Sequence, residues 1–455
     1  MNKFIFALIL FFAFSFTFHK EKKKFFLVGF AVEDITPDNP LPLTGYAGRK
    51  EVYDSIEQHI FAKAMVMGED KEYPKALITL DLIGFPASLA DDLASRLSTE
   101  LKWERKQIAL MATHTHTAPE TGVLLNINGN LLTGEQLYRI KKFRDELLNQ
   151  LERLVKTALS NREPCEILYG KGEASFATNR RIVRNGKWEG FGKNPTGPVE
   201  HDLPVLIAVN QKKTVKGFFL NYACHGTTLV REDNYVHGDW MGTAQKLLQE
   251  RFPNALAMVA IGCGADSDPQ PRGKLEFAEQ HGKTIANEVE KIFKEGKAIN
   301  LNNLPQTAFE KIRLDFDPEP SDDVLLERSS NPNATGLYSR NLLEKRARGN
   351  LEKENYHYPI QIWKFGADMT MVFLGGEVVV DYAKRLKKEL PNSNLWINAY
   401  SNDVTCYVAS QRLYHEGGYE VDASMFYYNK PCRFQENTEE RIIGQVKTMV
   451  YTLSN

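Results

Sequence analysis

The chain has 455 residues, of which 42% are hydrophobic and 25% charged, an ordinary globular composition with enough length to bury a large core. Lysine and arginine number 57 and aspartate and glutamate 58, so no charge excess points to nucleic acid or another polyanion, and no nucleic-acid partner is expected. The five cysteines, Cys165, Cys224, Cys263, Cys406 and Cys432, are too few and too scattered for a disulfide framework and include no C-x-x-C pair, so they read as small buried side chains, with a bridge or two still open to an exported chain.

The N-terminus reads as a targeting segment. Met1-Asn2-Lys3 precedes an apolar stretch from Phe4 to Phe18, and His19-Lys20-Glu21-Lys22-Lys23-Lys24 follows. A basic start and an apolar run of this size predict export, to the periplasm, to the medium or to a membrane anchor. The run is short of the ~20 residues that a membrane helix needs. No small-x-small cleavage site follows, so an uncleaved anchor and membrane-surface association stay open. Residues 1–24 are therefore set aside, and 25–455 are expected to form one large unit.

From Phe25 to Val32 the chain reads as a strand closed by Glu33-Asp34-Ile35-Thr36-Pro37, with loop to Pro42 and a glycine-bordered turn at Gly45-Tyr46-Ala47-Gly48. Ile60 to Met67 and Ala76 to Leu82 read as strands. Pro86 starts a helix marked by Leu89, Leu93, Leu97 and Leu101. The run Gln107 to Met111 is a buried strand, and a long helix from Gly134 to Asn161 carries Ile140, Leu147, Leu151 and Leu154 on one face. Glu120 to Leu132 is expected to be a loop over the site, and Phe176 to Pro198 to be irregular. Leu203 to Val209, Gly217 to Cys224 and Ala255 to Ile261 read as strands, Trp240 to Arg251 and Phe277 to Phe293 as helices. Residues 296–355 are the most polar, with Ser329 to Thr335 an exposed loop and Glu344 to Glu354 a solvated helix or loop. Thr370 to Leu374 and Leu395 to Tyr400 read as strands around a helix from Val378 to Leu390. Alternating strands and helices, with no linker dividing them, predict an α/β protein: a mixed β-sheet core flanked by helices.

Polar clusters follow several of these strands: Thr113-His114-Thr115-His116, Cys224-His225-Gly226-Thr227-Thr228, Gly262 to Pro269 with Asp266, Ser267 and Asp268, and Gly375-Gly376-Glu377. Sites in open α/β sheets form outside the carboxyl ends of strands. In extended chain, positions two apart face the same way, so His114 and His116 can share a site. Polar caps and turns would explain any one cluster; the set favours a site. Histidines and a glutamate from separate strand ends suit Zn2+, with a position left for a water whose pKa falls to about 7. Such a hydroxide can attack a carbonyl carbon.

The sequence resembles the neutral/alkaline non-lysosomal ceramidase family, in its N-terminal catalytic domain. The resemblance is carried by Val32-Glu33-Asp34-Ile35-Thr36-Pro37, Gly45-Tyr46-Ala47, Thr79-Leu80-Asp81-Leu82, Thr113-His114-Thr115-His116, Ala223-Cys224-His225, Asp239 with Gly242, Gly376-Glu377, and Asn402-Asp403-Val404-Thr405-Cys406-Tyr407-Val408 followed by Glu416-Gly417-Gly418. It implies a zinc-dependent amidase that cleaves an N-acyl linkage by attack of metal-bound hydroxide. It also implies His114, His225, Glu377 and Tyr407 as metal ligands, His116 near the metal and the substrate carbonyl, and Arg180 facing the substrate. This sequence departs from the family in three places. Asp268 stands where the family has serine before the proline, with Ser267 displaced by one, which argues against a serine acyl-enzyme; Asp266 and Asp268 then orient water or a polar substrate group, or form an Asp-rich turn. His415, with Tyr414 beside it, stands where the family has tyrosine and is expected to serve as oxyanion donor or acid. The chain ends at Asn455, so the family's C-terminal immunoglobulin-like domain is expected to be missing. His237 is a further site candidate or a structural histidine.

The leading expectation is an exported zinc amidohydrolase acting on an N-acyl or O-acyl small molecule, a sphingolipid or an acylated sugar. The alternatives are a zinc esterase, lactonase or deacylase of a carbohydrate-like substrate, and a catalytically inactive binding protein on the same fold.

Overall fold

The computed structural model describes residues 24–47, 49, 51–121, 132–349, 355–390, 394–404 and 406–454. Nearly all of the expected targeting segment, and most of the loop expected over the site, lie outside the described residues.

The strands β1 (Phe26–Asp34), β2 (Phe61–Met67), β3 (Lys75–Leu80), β4 (Ile108–Ala112), β5 (Glu163–Glu173), β6 (Asp202–Asn210), β7 (Val215–Tyr222) and β8 (Leu256–Ile261) form a nine-stranded mixed sheet in the order β8-β7-β6-β5-β1-β2-β3-β4, with Ile299–Asn300 paired beside β5. A four-stranded sheet follows in the order β9 (Gln306–Asp315), β10 (Asn355–Phe365), β11 (Met369–Leu374) and β12 (Leu395–Asn398). The principal helices are α1 (Ala87–Leu101), α2 (Gly134–Ser160), α3 (Asp239–Arg251), α4 (Leu275–Lys294), α5 (Val380–Glu389) and α6 (Thr438–Thr452).

Strand alternation divides the core in two. On β2, Ala62, Ala64 and Val66 join Leu89, Leu93, Leu97, Leu147, Leu151 and Leu154 of the covering helices. Met65 and Met67 point the other way, into a core shared with Trp363, Phe373 and Trp396 of the second sheet. The two sheets therefore stack face to face, with helices on their outer surfaces.

Parallel pairing is confined to β3–β4, β7–β8 and β11–β12 within these sheets, and each pair is joined through a helix: α1, α3 and α5. These crossovers bring the strands' carboxyl ends together. Main-chain hydrogen bonds stitch the ends to one another: His114 N to Leu82 O, Ala399 N to Ile261 O, Ala112 N to Tyr400 O and Tyr400 N to Gly376 O. The polar clusters read from the sequence sit here.

The expected strands and helices between Phe25 and Tyr400 form within a few residues of their predicted bounds. Phe176 to Pro198 is not irregular: Ala177–Arg184 and Lys187–Asn194 pair as an antiparallel hairpin, and Ser267–Pro269 adds a third strand. The polar stretch 296–355 contains β9 and the helices Asp322–Ser329 and Ala334–Ala347. Among the described residues no helix is long and apolar enough to cross a membrane.

Candidate metal centre

The Thr-His-Thr-His stretch leaves β4 with His114 at φ 57°, a left-handed turn that swings its ring away from the strand direction. Thr115 and Thr117 hydroxyls both donate to the main-chain oxygen of His237, at 2.8 and 2.7 Å, and Thr115 bridges Gly226. The threonines thus anchor the segment so that the histidines between them are fixed.

His114 Nδ1 lies 2.6 Å from the Ile83 carbonyl, and His225 Nδ1 lies 3.0 Å from the Gly264 carbonyl. A carbonyl can only accept, so each ring carries its proton on Nδ1 and presents a bare lone pair at Nε2. Those Nε2 atoms are 3.1 Å apart, and Glu377 Oε2 stands 3.1 Å from the first and 3.3 Å from the second. Glu377 Oε2 is buried and has no hydrogen-bond donor. The Tyr407 hydroxyl is 3.4 Å from His225 Nε2, and His116 Nε2 is 3.3 Å from His114 Nε2. The ligand atoms of His114, His116 and His225 all lie within 4.8 Å of one another.

Acceptors aimed at acceptors in a buried site repel unless something positive lies among them. Tetrahedral N and O ligands placed ~2.0–2.1 Å from a zinc ion stand about 3.3 Å apart, and the spacings here are of that size. The donor set of imidazole, carboxylate and phenol therefore fits a small divalent cation. The Nδ1-to-carbonyl contacts are of the kind that orient histidines at metal sites.

The electrostatics agree. Burial works to raise the Glu377 carboxyl, and positive charge or a donated hydrogen at the His114 and His225 positions holds it well below the usual carboxylate range; with both rings bare at Nε2, a cation is what would supply that charge. Burial pushes His116 well below the ordinary histidine value, with the neighbouring histidines adding to the effect. Its Nδ1 is buried without a partner, under Gly45, whose φ of +101° is matched to a site where a Cβ would come 2.6 Å from that nitrogen. Burial raises the Tyr407 phenol well above its usual value, so it keeps its proton.

Arg180 comes from the first strand of the hairpin. Its guanidinium meets Glu420 Oε1 at 3.1 Å, the Tyr407 hydroxyl at 3.1 Å, Asp268 Oδ1 at 3.4 Å and His225 Nε2 at 3.4 Å. Asp268 is fully engaged, accepting also from Arg272 at 2.9 Å and Thr227 at 3.2 Å. Burial opposes its ionisation, but Arg180 and Arg272 hold it below the usual aspartate value. Arg272 reaches on to the Tyr46 hydroxyl at 3.1 Å. Asp268 thus borders the cluster through Arg180. Asp266 does not face it: its oxygens accept from Val380 N at 2.9 Å and Asn179 Nδ2 at 3.0 Å, and burial pushes it up to about 6. Ser267 gives its main-chain oxygen to His225 N, and its buried hydroxyl has no partner. His237 contributes main chain to the motif, while burial takes its ring down to about 4.

The structure does not bring His415 to the cluster. Its side chain is 73% exposed and its ring lies 3.5 Å from Glu436. The short helix Gln411–Glu416 turns Tyr414 inward, onto the Phe434 carbonyl, and so turns its neighbour out. The sequence reading missed the segment just beyond. Tyr419 packs edge-on against Tyr407 with ring centroids 5.4 Å apart, and Glu420 lies between Arg180 and Arg181. Tyr428 donates to Glu377 Oε1. The Gly417-Gly418 pair was the available signal, since both glycines have positive φ and mark a sharp change of direction.

The sequence model of the family described as neutral/alkaline non-lysosomal ceramidase, N-terminal, matches residues 26–262. A neutral ceramidase of Drosophila melanogaster is 27% identical over 240 residues, 50% of this chain and 33% of that protein. Neutral ceramidase 1 of Arabidopsis thaliana is 22% identical over 266 residues, 56% of this chain and 33% of that protein. The chain spans about a third of the length of the curated relatives it matches. The crystal structure of neutral ceramidase from Pseudomonas aeruginosa superposes with a TM-score of 0.69 at 15% identity, over 93% of this chain and 74% of that one. A ceramidase complexed with C2 gives 0.70 at 15%, over 92% and 74%. At such identities the likeness speaks to the fold.

Proposed function

The chain belongs to the neutral/alkaline non-lysosomal ceramidase family, and from that premise we propose that residues 25–455 form an exported zinc-dependent hydrolase that cleaves an N-acyl amide. The observation that carries this reading is the convergence of three acceptors, the Nε2 atoms of His114 and His225 and the partnerless Oε2 of Glu377, which stand 3.1, 3.1 and 3.3 Å from one another. His114, His225, Glu377 and Tyr407 would hold the cation. When bound, a zinc ion acts as a Lewis acid and lowers the pKa of water to about 7.

The remaining work falls to the chain's own groups. His116, neutral and with Nδ1 free, accepts a proton and returns it to the leaving nitrogen. Arg180 directs guanidinium hydrogens toward the oxygen on which charge develops. Asp268 keeps that guanidinium in place through its own contacts with Arg180 and Arg272. Ionised Glu377 keeps the site receptive to a cation at neutral pH. Burial of His114, His225 and Glu377 excludes bulk water and strengthens every one of these interactions.

The polar chain Arg180–Asp268–Arg272–Tyr46 beside the cluster favours a second reading, the same centre acting on an O-acyl or lactone bond of a carbohydrate-like substrate. Metal analysis together with turnover on matched amides and esters tests both. Stoichiometric zinc with amide cleavage is expected. Full activity after exhaustive chelation overturns the metal-dependent reading, and ester cleavage with no amide cleavage overturns the substrate class. Export is tested by fractionating cells that make the full chain, with the protein expected outside the cytoplasm or on the membrane.

A further inference from the structure

The two oxygens of Glu377 are treated differently. Oε2 is turned toward the imidazole nitrogens and has no donor. Oε1 is turned away from them and accepts the hydroxyl proton of Tyr428. Tyr428 is itself buried, and its ring lies 6.3 Å from that of Tyr407. The phenol that touches the carboxylate is therefore packed against another member of the same cluster.

The piece of chain that delivers Tyr428 is built for placement. Gly417 and Gly418 have φ +71° and ψ −164°, then φ +102° and ψ −159°, a backbone region open to glycine alone. A Cβ on Gly418 would come 2.5 Å from the Trp188 ring, so the segment is seated directly on the hairpin that carries Arg180. One turn of π-helix follows at Tyr419–Ala423, a geometry that recurs at functional sites. It sets Tyr419 against Tyr407 and Glu420 between Arg180 and Arg181. The short helix Ser424–Tyr427 then brings in Tyr428.

We propose that Tyr428 is a positioning residue for the metal centre: by occupying Oε1 it makes Glu377 a one-oxygen ligand and keeps Oε2 directed at the cation. The proposal rests on the reading of the cluster as a metal centre. A carboxylate with both oxygens free can rotate or chelate through both, raising the coordination number. With Oε1 engaged, only Oε2 is offered. Partners in this position set metal affinity as well as ligand orientation.

The test is zinc affinity of the full chain, stripped of metal and titrated against a competing chromophoric chelator. Tyr428→Phe removes the donor and keeps the ring. It is expected to weaken zinc binding by about 10- to 100-fold, with circular dichroism of the metal-free protein unchanged. Equal affinity in wild type and variant overturns the proposal. Wild-type protein loaded with Co2+ gives a second measurement that does not depend on the variant folding. Intense visible absorption, from low coordination with a one-oxygen carboxylate, is expected; the weak spectrum of a six-coordinate ion overturns the proposal. Wild-type protein that binds neither ion overturns the metal-centre reading and this inference with it. Wild-type binding that Tyr428→Phe leaves intact overturns the positioning role alone.

Discussion

The two flanks of the cluster are held by different parts of the molecule and by different means. His114 and His225 leave strands of the nine-stranded sheet, and main-chain carbonyls of Ile83 and Gly264 fix their rings. Glu377 and Tyr407 follow strands of the second sheet and pair with each other along the main chain, but their polar heads are held by side chains: Tyr428 on the carboxylate, Arg180 on the phenol. A carbonyl in a buried turn moves only if the fold moves. A side-chain partner can be changed by one substitution. The histidine flank is therefore the fixed half of the site, and the Glu377–Tyr407 flank the adjustable half.

Breaking the fixed half should cost most. His225→Ala removes one proposed ligand and leaves the Gly264 carbonyl and Glu377 Oε2 facing a void. We expect zinc content near zero and a loss in kcat/KM of at least about 1000-fold, the several kcal/mol that a Lewis-acid metal contributes. Metal analysis and turnover on the preferred acyl substrate check this. Full zinc occupancy in the variant would remove the distinction between the flanks.

The adjustable half should respond by degrees. Arg180→Met deletes the guanidinium that meets the Tyr407 hydroxyl, Glu420 and Asp268. We expect kcat/KM to fall about 100-fold, the order found when a donor to a developing oxyanion is lost. Zinc content should stay within a factor of about 2, because no ligand has gone. Arg180→Lys should recover only part of the loss, since an ammonium cannot reproduce the planar fork. Loss of metal in Arg180→Met would show that this flank, too, holds the cation as a unit.

The same division explains what was legible in the sequence. The fixed half was written in local pattern: an apolar strand, then a short polar cluster, at each crossover that brings a parallel strand home. Glu377 of the adjustable half shares that pattern, in Gly375-Gly376-Glu377 after an apolar strand; the rest of that half depends on contacts between distant segments. The hairpin at 177–194 reads as irregular because Asn179, Arg180 and Arg181 occupy strand positions, and they are buried only because Asp266, Glu416 and Glu420 come to meet them. The strand β5 was not read because Pro164, Gly170 and Gly172 interrupt its pattern. Those glycines are there for α4, since a Cβ would come 2.3 Å from Ile292 at Gly170 and 2.6 Å from Glu288 at Gly172. Tyr407 emerges only through family resemblance; Tyr419 and Glu420 sit in one π-helical turn and Tyr428 follows a helix of 4 residues, both too short to carry a periodicity.

A smaller effect is expected where the adjustable half is seated. Gly418→Ala places a Cβ against Trp188 and forces a non-glycine residue into φ +102°. A residue held in that region costs about 1–3 kcal/mol. Chemical denaturation should show a loss of that size, with the midpoint lowered and the slope unchanged. If stability holds and zinc affinity still drops, the strain is relieved by displacing Tyr419 to Tyr428, which would identify that segment directly as the adjustable support. Unchanged stability and unchanged affinity would show that the seat is looser than its geometry implies.

The smallest effect is expected at the position where sequence and structure part. His415 sits beside Glu416 and the glycine pair, and as a titratable ring in a matched motif it is the natural candidate for an acid or oxyanion donor. In the fold the helix Gln411–Glu416 spends its inward face on Leu413 and Tyr414 and leaves the His415 side chain in solvent. Its partner at the surface is Glu436, an exposed pair of the kind that contributes at most about 1 kcal/mol. His415→Ala should therefore leave zinc content intact and kcat/KM within about 2-fold, in line with the small effects of surface substitutions. Its pH–rate profile should overlay that of the wild type, because the ring faces solvent and pairs only with Glu436 among the ion pairs of the described residues. A displaced acidic or basic limb in that profile would mean that His415 reaches the substrate after all, and that the adjustable half extends to the protein surface.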